Sequence, residues 1–201
     1  MDAPDDYDSP WKEAVESYFP EFIEFYFPDA SRQIDWARGY QFLDQELRAV
    51  VQDAELGKRF VDKLAKVALC DGSERWVYVH LEVQGSAQAE FAERMFVYNY
   101  RLYDRYRQPV ASLAVLADSS ANWRPNHFGF AVLGCEHELR FPAVKLLDYA
   151  AQQDQLYSNP NPFALVTLAH LLTQATRQDM NARFAAKWKL VQLLYQRGWD
   201  K

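Results

Sequence analysis

The sequence has few of the residue types on which several common kinds of site depend. Its two cysteines, Cys70 and Cys135, form no CxxC motif, and there is no HxxxH motif, so neither a disulfide framework nor a zinc motif is indicated. We expect both cysteines to be small core residues in a reducing cytoplasm. Only 7 glycines are present, with no Gly-rich phosphate loop and no Gly-x-Ser-x-Gly elbow. The four histidines do not cluster in sequence, and no Ser-His-Asp arrangement is visible.

Long apolar runs are also missing. No run reaches the roughly 18 residues that a membrane-spanning helix needs. The first ten residues, MDAPDDYDSP, are acidic, which is the reverse of a signal peptide. We therefore expect a cytoplasmic protein that does not contact a membrane.

The net charge of −6 argues against a nucleic-acid partner, but its distribution weakens that argument. Residues 1–30 hold nine acids and one base, Lys12, which leaves 19 acids and 21 bases in the other residues. The remainder of the chain is slightly basic, so a local phosphate-binding face is permitted.

Patterns of apolar residues predict an α/β fold, with a mixed central sheet flanked by helices and a C-terminal helical pair. Helices are predicted at 10–27 with an interruption at Pro20, and at 41–55, 87–107, 144–152, 162–176 and 180–197. A buried strand is predicted at 110–117, parallel to a neighbour, and a hairpin at 128–133 and 138–141. We divide the chain into a domain at 1–157 and a helical extension at 158–201.

The stretch with the most chemical content is the predicted hairpin from Phe60 to Gln84. Its second strand alternates aliphatic residues with aromatic or polar ones, and an Asp-Gly turn precedes it. Asp62 lies on the first strand, and Glu82 and Gln84 lie at the end of the second. A three-residue loop pairs Asp62 with Glu82, and directly opposed residues share a face with Cβ atoms about 4.5–5.5 Å apart. A two- or four-residue loop without a bulge would put Asp62 on the other face.

Two opposed carboxylates suit a hard divalent cation such as Mg²⁺, for which Mn²⁺ can substitute, and a neighbouring amide can orient a water. The alternative is that these are exposed acids at strand ends. Glu46, in the helix before the hairpin, is either a solvated helix acid or a further carboxylate at the site. Arg94, Arg101 and Arg105 form a row on the next helix, either as solvated bases or as a clamp for phosphate.

The order of helix, hairpin with Asp then Glu-x-Gln, helix and buried strand resembles the core of the PD-(D/E)xK nucleases. The amino-acid sequence more closely resembles one branch of that superfamily, the transposase-like, recombination-promoting nuclease family (YhgA-like proteins). The segments that carry this resemblance are VDKLAKV, WVYVHLEVQG, FAERMFVYNYRLYDRY, PVASLAVLAD and NPFALVTLAHLL, and the most specific is EVQG followed by RM-x-x-Y. The match runs from about Trp11 to about Gly198.

The resemblance implies a restriction-endonuclease-like core and a metal-dependent DNA endonuclease linked to recombination or mobile elements. By position, Asp62 and Glu82 would bind Mg²⁺, Gln84 would orient the attacking water, and Arg94 and Arg101 would contact DNA phosphates. The superfamily often has a helical glutamate ahead of the Asp strand, for which Glu46 is the first candidate and Glu16 the second. Gln84 departs from the pattern, because the superfamily usually has a lysine there. A homodimer is left open.

Two other functions are weighed against the nuclease. The first is a catalytically inactive descendant that binds DNA or protein, suggested by Gln84 and by the acidic N-terminal residues. The second is a two-carboxylate hydrolase acting on sugars, which would need Trp76 and Tyr78 to line a substrate cleft beside Glu82. These aromatic residues are more simply explained as part of the core.

Overall fold

The computed structural model describes residues 8–43, 45, 47, 61–71, 76–84 and 86–198, with residues 8–10, 61–62 and 76–84 described by their backbone. The fold is mixed α/β. Its helices are α1 Asp8–Ser17, α2 Phe19–Tyr26, α3 Pro28–Ser31, α4 Phe91–Tyr106, α5 Gln153–Ser158, α6 Pro162–Ala175 and α7 Met180–Gln196, with 3-10 helices at Trp36–Arg38 and Leu146–Gln152. Its strands are β1 Tyr40–Phe42, β2 Val61–Ala68, β3 Trp76–Gln84, β4 Val110–Leu116, β5 His127–Val132, β6 Cys135–Arg140 and β7 Ala143–Lys145.

The chain divides into two compact units, Met1–Val144 and Lys145–Lys201. The boundary that we placed after residue 157 from the sequence falls inside α5 and stays a prediction. Among the residues that the structure describes, no helix has both the length and the apolar character needed to cross a membrane.

The main sheet of the first unit is mixed. Its strand order is β1-β2-β3-β4-β7, with β5 and β6 forming a separate two-stranded sheet. β1 pairs antiparallel with β2, and β2 pairs antiparallel with β3. β3 and β4 are parallel, because α4 carries the chain back across the sheet between them. The parallel strand predicted at 110–117 is thereby confirmed.

The centre of the sheet is covered on both faces. Leu64 and Ala65, neighbours on β2 that face opposite ways, are both fully buried. Leu64 belongs to a cluster with Leu102 of α4, so we call its side of the sheet the α4 face. On the other side, the α1 face, Lys63 is fully buried and forms an ion pair with Glu16.

The N-terminal helical segment is interrupted close to Pro20, as the sequence predicts. α1 ends at Ser17, and α2 begins at Phe19 with Pro20 in its first turn, where a proline costs no helical hydrogen bond. Phe19 is fully buried and contacts Tyr40 and Phe42 of β1, with ring centroids 4.8 and 5.2 Å apart. These aromatic contacts fix α2 over the first strand.

The helix predicted to begin at Gln41 begins too early. Tyr40–Phe42 is a strand whose residues pair with Val67, Lys66 and Ala65 of β2. This segment forms backbone hydrogen bonds with the edge of β2, and its aromatic side chains pack on Phe19. These contacts outweigh the helical periodicity of its sequence. Gln45 and Leu47 are helical, and the rest of the predicted helix, including Glu46, lies outside the described residues.

Two other predictions are wrong. Cys70 and Cys135 are both exposed, because Cys70 follows β2 at a turn and Cys135 lies on the outer β5–β6 hairpin. The segment from 144 begins as strand β7 before it becomes helical, so the short predicted helix starts at Leu146.

In the second unit, capping side chains mark the starts of the two long helices. The side chain of Asn161 accepts a hydrogen bond from the Phe163 backbone N–H at the start of α6. Asp179 accepts from the N–H groups of Asn181 and Ala182 at the start of α7, and Gly198 has φ of 72° after its end. His170 of α6 is buried, and its Nε2 lies 2.8 Å from Gln174 Nε2.

Candidate functional site

The backbone register brings the predicted metal ligands together. Asp62 and Glu82 are direct Cα partners in the β2–β3 ladder. This is the register that a three-residue loop predicts, and it places both residues on the same face of the sheet. The prediction that they are neighbours on one face is confirmed at the level of the backbone.

The same row continues into β4. Glu82 pairs with Ala114, and Gln84 pairs with Leu116. Ala114 and Leu116 are buried against Phe91 and Met95 of α4. The row of Asp62, Glu82 and Gln84 therefore lies on the α4 face, under the first two turns of that helix.

A half-buried amide fixes α4 on the sheet. The Asn99 side chain donates hydrogen bonds to the Val110 backbone oxygen at 2.9 Å and to Ser112 Oγ at 3.1 Å. Ser112 is the register partner of His80, two residues before Glu82 on β3. Sequence reasoning missed this contact, because a single asparagine in a helix carries no signal of what it faces.

The arginine row on α4 changes its environment along the helix. Arg94 is 6% exposed, Arg101 is half-buried and Arg105 is exposed. Arg94 Nη1 donates to Gln88 Oε1 at 3.0 Å, and its guanidinium carbon lies 5.5 Å from the centre of the Phe91 ring. Arg94 is therefore not a solvated surface base. Arg94 and Arg101 are seven residues apart, about 10 Å along a helix, so they would reach different phosphates.

Glu16 does not belong to this site. It pairs with the buried amine of Lys63, which also lies 5.1 Å from the centre of the Phe42 ring. Lys63 follows Asp62 on β2 and so points to the α1 face, across the sheet from Asp62. The sequence contained no sign of this pairing, since 47 residues separate the two partners. Glu46, the first choice for a further carboxylate, lies outside the described residues.

A further carboxylate, close to the end of β4, was not predicted. Asp118 is two residues beyond Leu116 at the end of β4, and it is 4% exposed. Its Oδ1 accepts a hydrogen bond from the Ser120 backbone N–H at 2.8 Å. This contact closes the turn after the strand, and an acid directly after an apolar run was the only available signal for it.

The donor chemistry of the row fits a hard divalent cation. Asp62 and Glu82 supply carboxylate oxygens and Gln84 supplies an amide oxygen, which are ligand types that Mg²⁺ accepts. Among the side chains that the structure describes, no three His, Cys, Asp or Glu residues lie close enough to hold a metal ion.

Comparisons of the chain with protein-family models, with curated proteins and with solved structures find no significant match. The resemblance to the recombination-promoting nucleases stays a prediction, carried by the motifs quoted above.

Proposed function

We propose that this protein is a metal-dependent DNA endonuclease with a restriction-endonuclease-like core. The observation that carries the proposal is the direct pairing of Asp62 with Glu82 on two central strands. Two carboxylates held opposite each other repel unless a cation lies between or beside them. Such a pair is costly for stability alone and useful for binding a divalent ion.

The order of the strands and helices supports the proposal. Three antiparallel strands, β1 to β3, are followed by α4 and by β4, which is parallel to β3. The hairpin, the helix and the buried strand agree with the order that the resemblance implies, whereas most of the helix predicted ahead of the hairpin lies outside the described residues. The register sets Asp62 and Glu82 at the open end of the β2–β3 hairpin, beside the start of α4.

Asp62 and Glu82 would hold Mg²⁺ or Mn²⁺. The ion would neutralise charge on a phosphate and make a water more acidic at neutral pH. Gln84 can donate and accept hydrogen bonds, so it can orient a water beside the scissile phosphate. Arg101 is half-buried near the middle of α4 and can contact a neighbouring DNA phosphate.

The second candidate function is a nuclease-fold protein that binds DNA or another protein without cleaving. Gln84 is the residue that favours it, because glutamine carries no positive charge where the superfamily usually has lysine. A chain that has lost catalysis would keep its fold and lose the need for paired acids. Metal binding that depends on both Asp62 and Glu82 therefore separates the two candidates.

The test is cleavage of supercoiled plasmid with Mg²⁺ or Mn²⁺ by the wild type, Asp62→Ala and Glu82→Ala. The matched control is Glu93→Ala, which removes an exposed acid from the first turn of α4. We expect metal-dependent cleavage by the wild type and the control, and loss of it in both site variants. A folded wild type that neither cleaves nor binds Mg²⁺ or Mn²⁺ by calorimetry would favour the non-catalytic candidate.

A further inference from the structure

The outer side of α7 carries a row of large apolar side chains, which we call the outer stripe. Its members are Met180, Phe184, Trp188, Val191 and Tyr195, and their spacing of four, four, three and four residues keeps them on one side of the helix. All five are exposed, from 40% for Val191 to 84% for Met180. Single apolar residues on a surface are ordinary, but a continuous row along a whole helix marks a surface that binds another molecule.

The inner side of α7 already has its contacts within the second unit. Ala182, Ala186 and Leu190 are half-buried, and the helix packs against α6. At the end of the helix, Arg197 Nη2 donates a hydrogen bond to the Tyr157 backbone oxygen at 2.7 Å. The inner side therefore holds α7 in place, and the outer stripe is not needed to attach the helix to its own unit.

We infer that the outer stripe is the contact surface of a homodimer, in which α7 of one copy packs antiparallel against α7 of a second copy. This inference is independent of the proposed nuclease function. Four of the five residues are of types that protein–protein interfaces concentrate, namely methionine and the aromatic residues. The whole of α7 contains no Asp or Glu, and these acids are depleted at interfaces.

The spacing of the outer stripe fits a second copy of itself. A twofold axis places each helix against its own reverse, so the row of contacts has to match itself when it is read from the other end. With the axis at the centre of the stripe, beside Trp188, Met180 lies opposite Tyr195 of the second copy. In the same register, Phe184 lies opposite Val191 of the second copy. Each of these pairs sets a ring against a smaller side chain.

The centre of this register also accommodates the charge of the helix. Lys187 is exposed beside the stripe, and it lies opposite Trp188 of the second copy. The face of an indole ring attracts an ammonium group. Each Lys187 of the dimer would therefore face a tryptophan ring, which offsets the repulsion between two helices that carry only basic charges.

The area of the outer stripe is sufficient for a specific dimer. A buried aromatic side chain contributes about 150–250 Å², so the exposed parts of the five residues amount to roughly 600 Å² in each copy. Two copies would bury about 1,200 Å², which is the lower end of the range for specific interfaces, about 1,200–2,000 Å². Asn181 and Gln192 are exposed beside the stripe and would form part of the polar rim.

An anionic lipid surface is the alternative occupant, because basic helices with an aromatic side can lie on membranes. Two observations favour the second copy. The chain carries a net charge of −6, so an anionic surface would repel much of the molecule. The symmetric spacing of the stripe matches a twofold axis, whereas a lipid surface imposes no such register.

Sedimentation velocity of the whole chain from about 0.1 to 100 μM tests the inference, because interfaces of similar size differ widely in affinity. We expect a species of twice the 23.5 kDa chain mass that dissociates on dilution. Trp188→Glu should weaken the dimer by at least about 30-fold, since tryptophans at the centre of an interface are frequent hot spots. The matched control is Tyr100→Glu, which adds the same charge at an exposed aromatic residue of α4 and should dimerise as the wild type does. Circular dichroism shows that each variant is folded.

Disulfide cross-linking tests the register and decides the matter if Trp188→Glu does not fold. The exposed Cys70 and Cys135 are first replaced by serine. Phe184→Cys and Val191→Cys are then prepared separately, and each is oxidised alone and in an equal mixture. The antiparallel register predicts a cross-linked dimer in the mixture and little in either variant alone. Cross-linking of each variant alone, with no increase in the mixture, would overturn the inference.

Two results of the sedimentation experiment would also overturn it. One is a wild type that stays monomeric over the whole concentration range. The other is a folded Trp188→Glu variant that dimerises as tightly as the wild type. A monomeric wild type that binds phosphatidylcholine vesicles containing phosphatidylserine would identify lipid as the occupant instead. Since plasmid cleavage is measured in none of these experiments, failure of the dimer leaves the proposed function standing.

Discussion

The ion pair between Glu16 and Lys63 allows a quantitative prediction about stability. The Lys63 side chain is fully buried, whereas the Glu16 side chain is 41% exposed. Glu16→Gln keeps the size of the side chain and its ability to accept a hydrogen bond, but it removes the negative charge. The positive charge of Lys63 would then be buried beside a neutral amide and the ring of Phe42.

The expected loss lies between two limits. Removing one partner of a fully buried pair costs about 3–5 kcal/mol, because an uncompensated charge stays inside. An exposed pair contributes about 0–1 kcal/mol. Because one side chain is buried and the other is partly exposed to water, we expect a loss of about 2 kcal/mol in the free energy of unfolding. In a chain of this size that corresponds to a fall in Tm of about 4–8 °C.

Urea unfolding followed by tryptophan fluorescence measures this loss. The control is Glu13→Gln, an exposed acid on the same helix, which should change the free energy of unfolding by less than about 0.5 kcal/mol. Adding Lys63→Met to Glu16→Gln should restore part of the loss, since the buried charge is then gone. A Glu16→Gln variant as stable as the Glu13→Gln control would refute the reasoning.

Three smaller predictions concern other parts of the chain. Asn99→Ala should lower the free energy of unfolding by about 2 kcal/mol, because the half-buried Asn99 amide loses two hydrogen bonds, one to the Val110 oxygen and one to the Ser112 hydroxyl; an unchanged urea midpoint would contradict this. Leu133→Asn should raise stability by about 1 kcal/mol, because Leu133 is fully exposed at φ of 50° in a hairpin turn, and asparagine tolerates that conformation better; a lower Tm would count against it. Burial, with a smaller contribution from Asp148, raises the pKa of Tyr149 above 10.0, so its contribution to stability is present below pH 10.0 and is lost as pH rises through the folded-state pKa. Tyr149→Phe should remove a late-titrating part of the tyrosinate absorbance, and loss of an early-titrating part would show that the sign is wrong.

Much of the local structure could be predicted because it depends on neighbours in sequence. Asn161 and Pro162 start α6 through a side-chain cap and a preset φ, and both act within one turn. The buried stripe of α4, with Phe91, Met95 and Tyr98, follows from helical periodicity. The pairing of Asp62 with Glu82 matches the register of a three-residue loop, which is one of the loop lengths that the sequence leaves open.

The failures concern segments whose state depends on distant partners. Tyr40–Phe42 has a helix-like pattern, yet it is a strand because β2 and Phe19 are available to it. Cys70 and Cys135 look like core residues by type, but they lie at a turn and on an outer hairpin. Composition carries no information about either position.

The candidate site also has one part that local sequence indicates and another that depends on distant contacts. The sequence by itself placed Asp62 and Glu82 on the two strands of one hairpin, but it left open whether the loop puts both on one face. The backbone of the folded protein pairs them directly. Only the tertiary structure decided on which face of the sheet each basic side chain lies. Lys63 pairs with Glu16 on the α1 face, and Arg94 is buried on the α4 face. Register is set by a few residues of one hairpin, whereas the burial of a charge depends on helices that reach the sheet from distant parts of the chain.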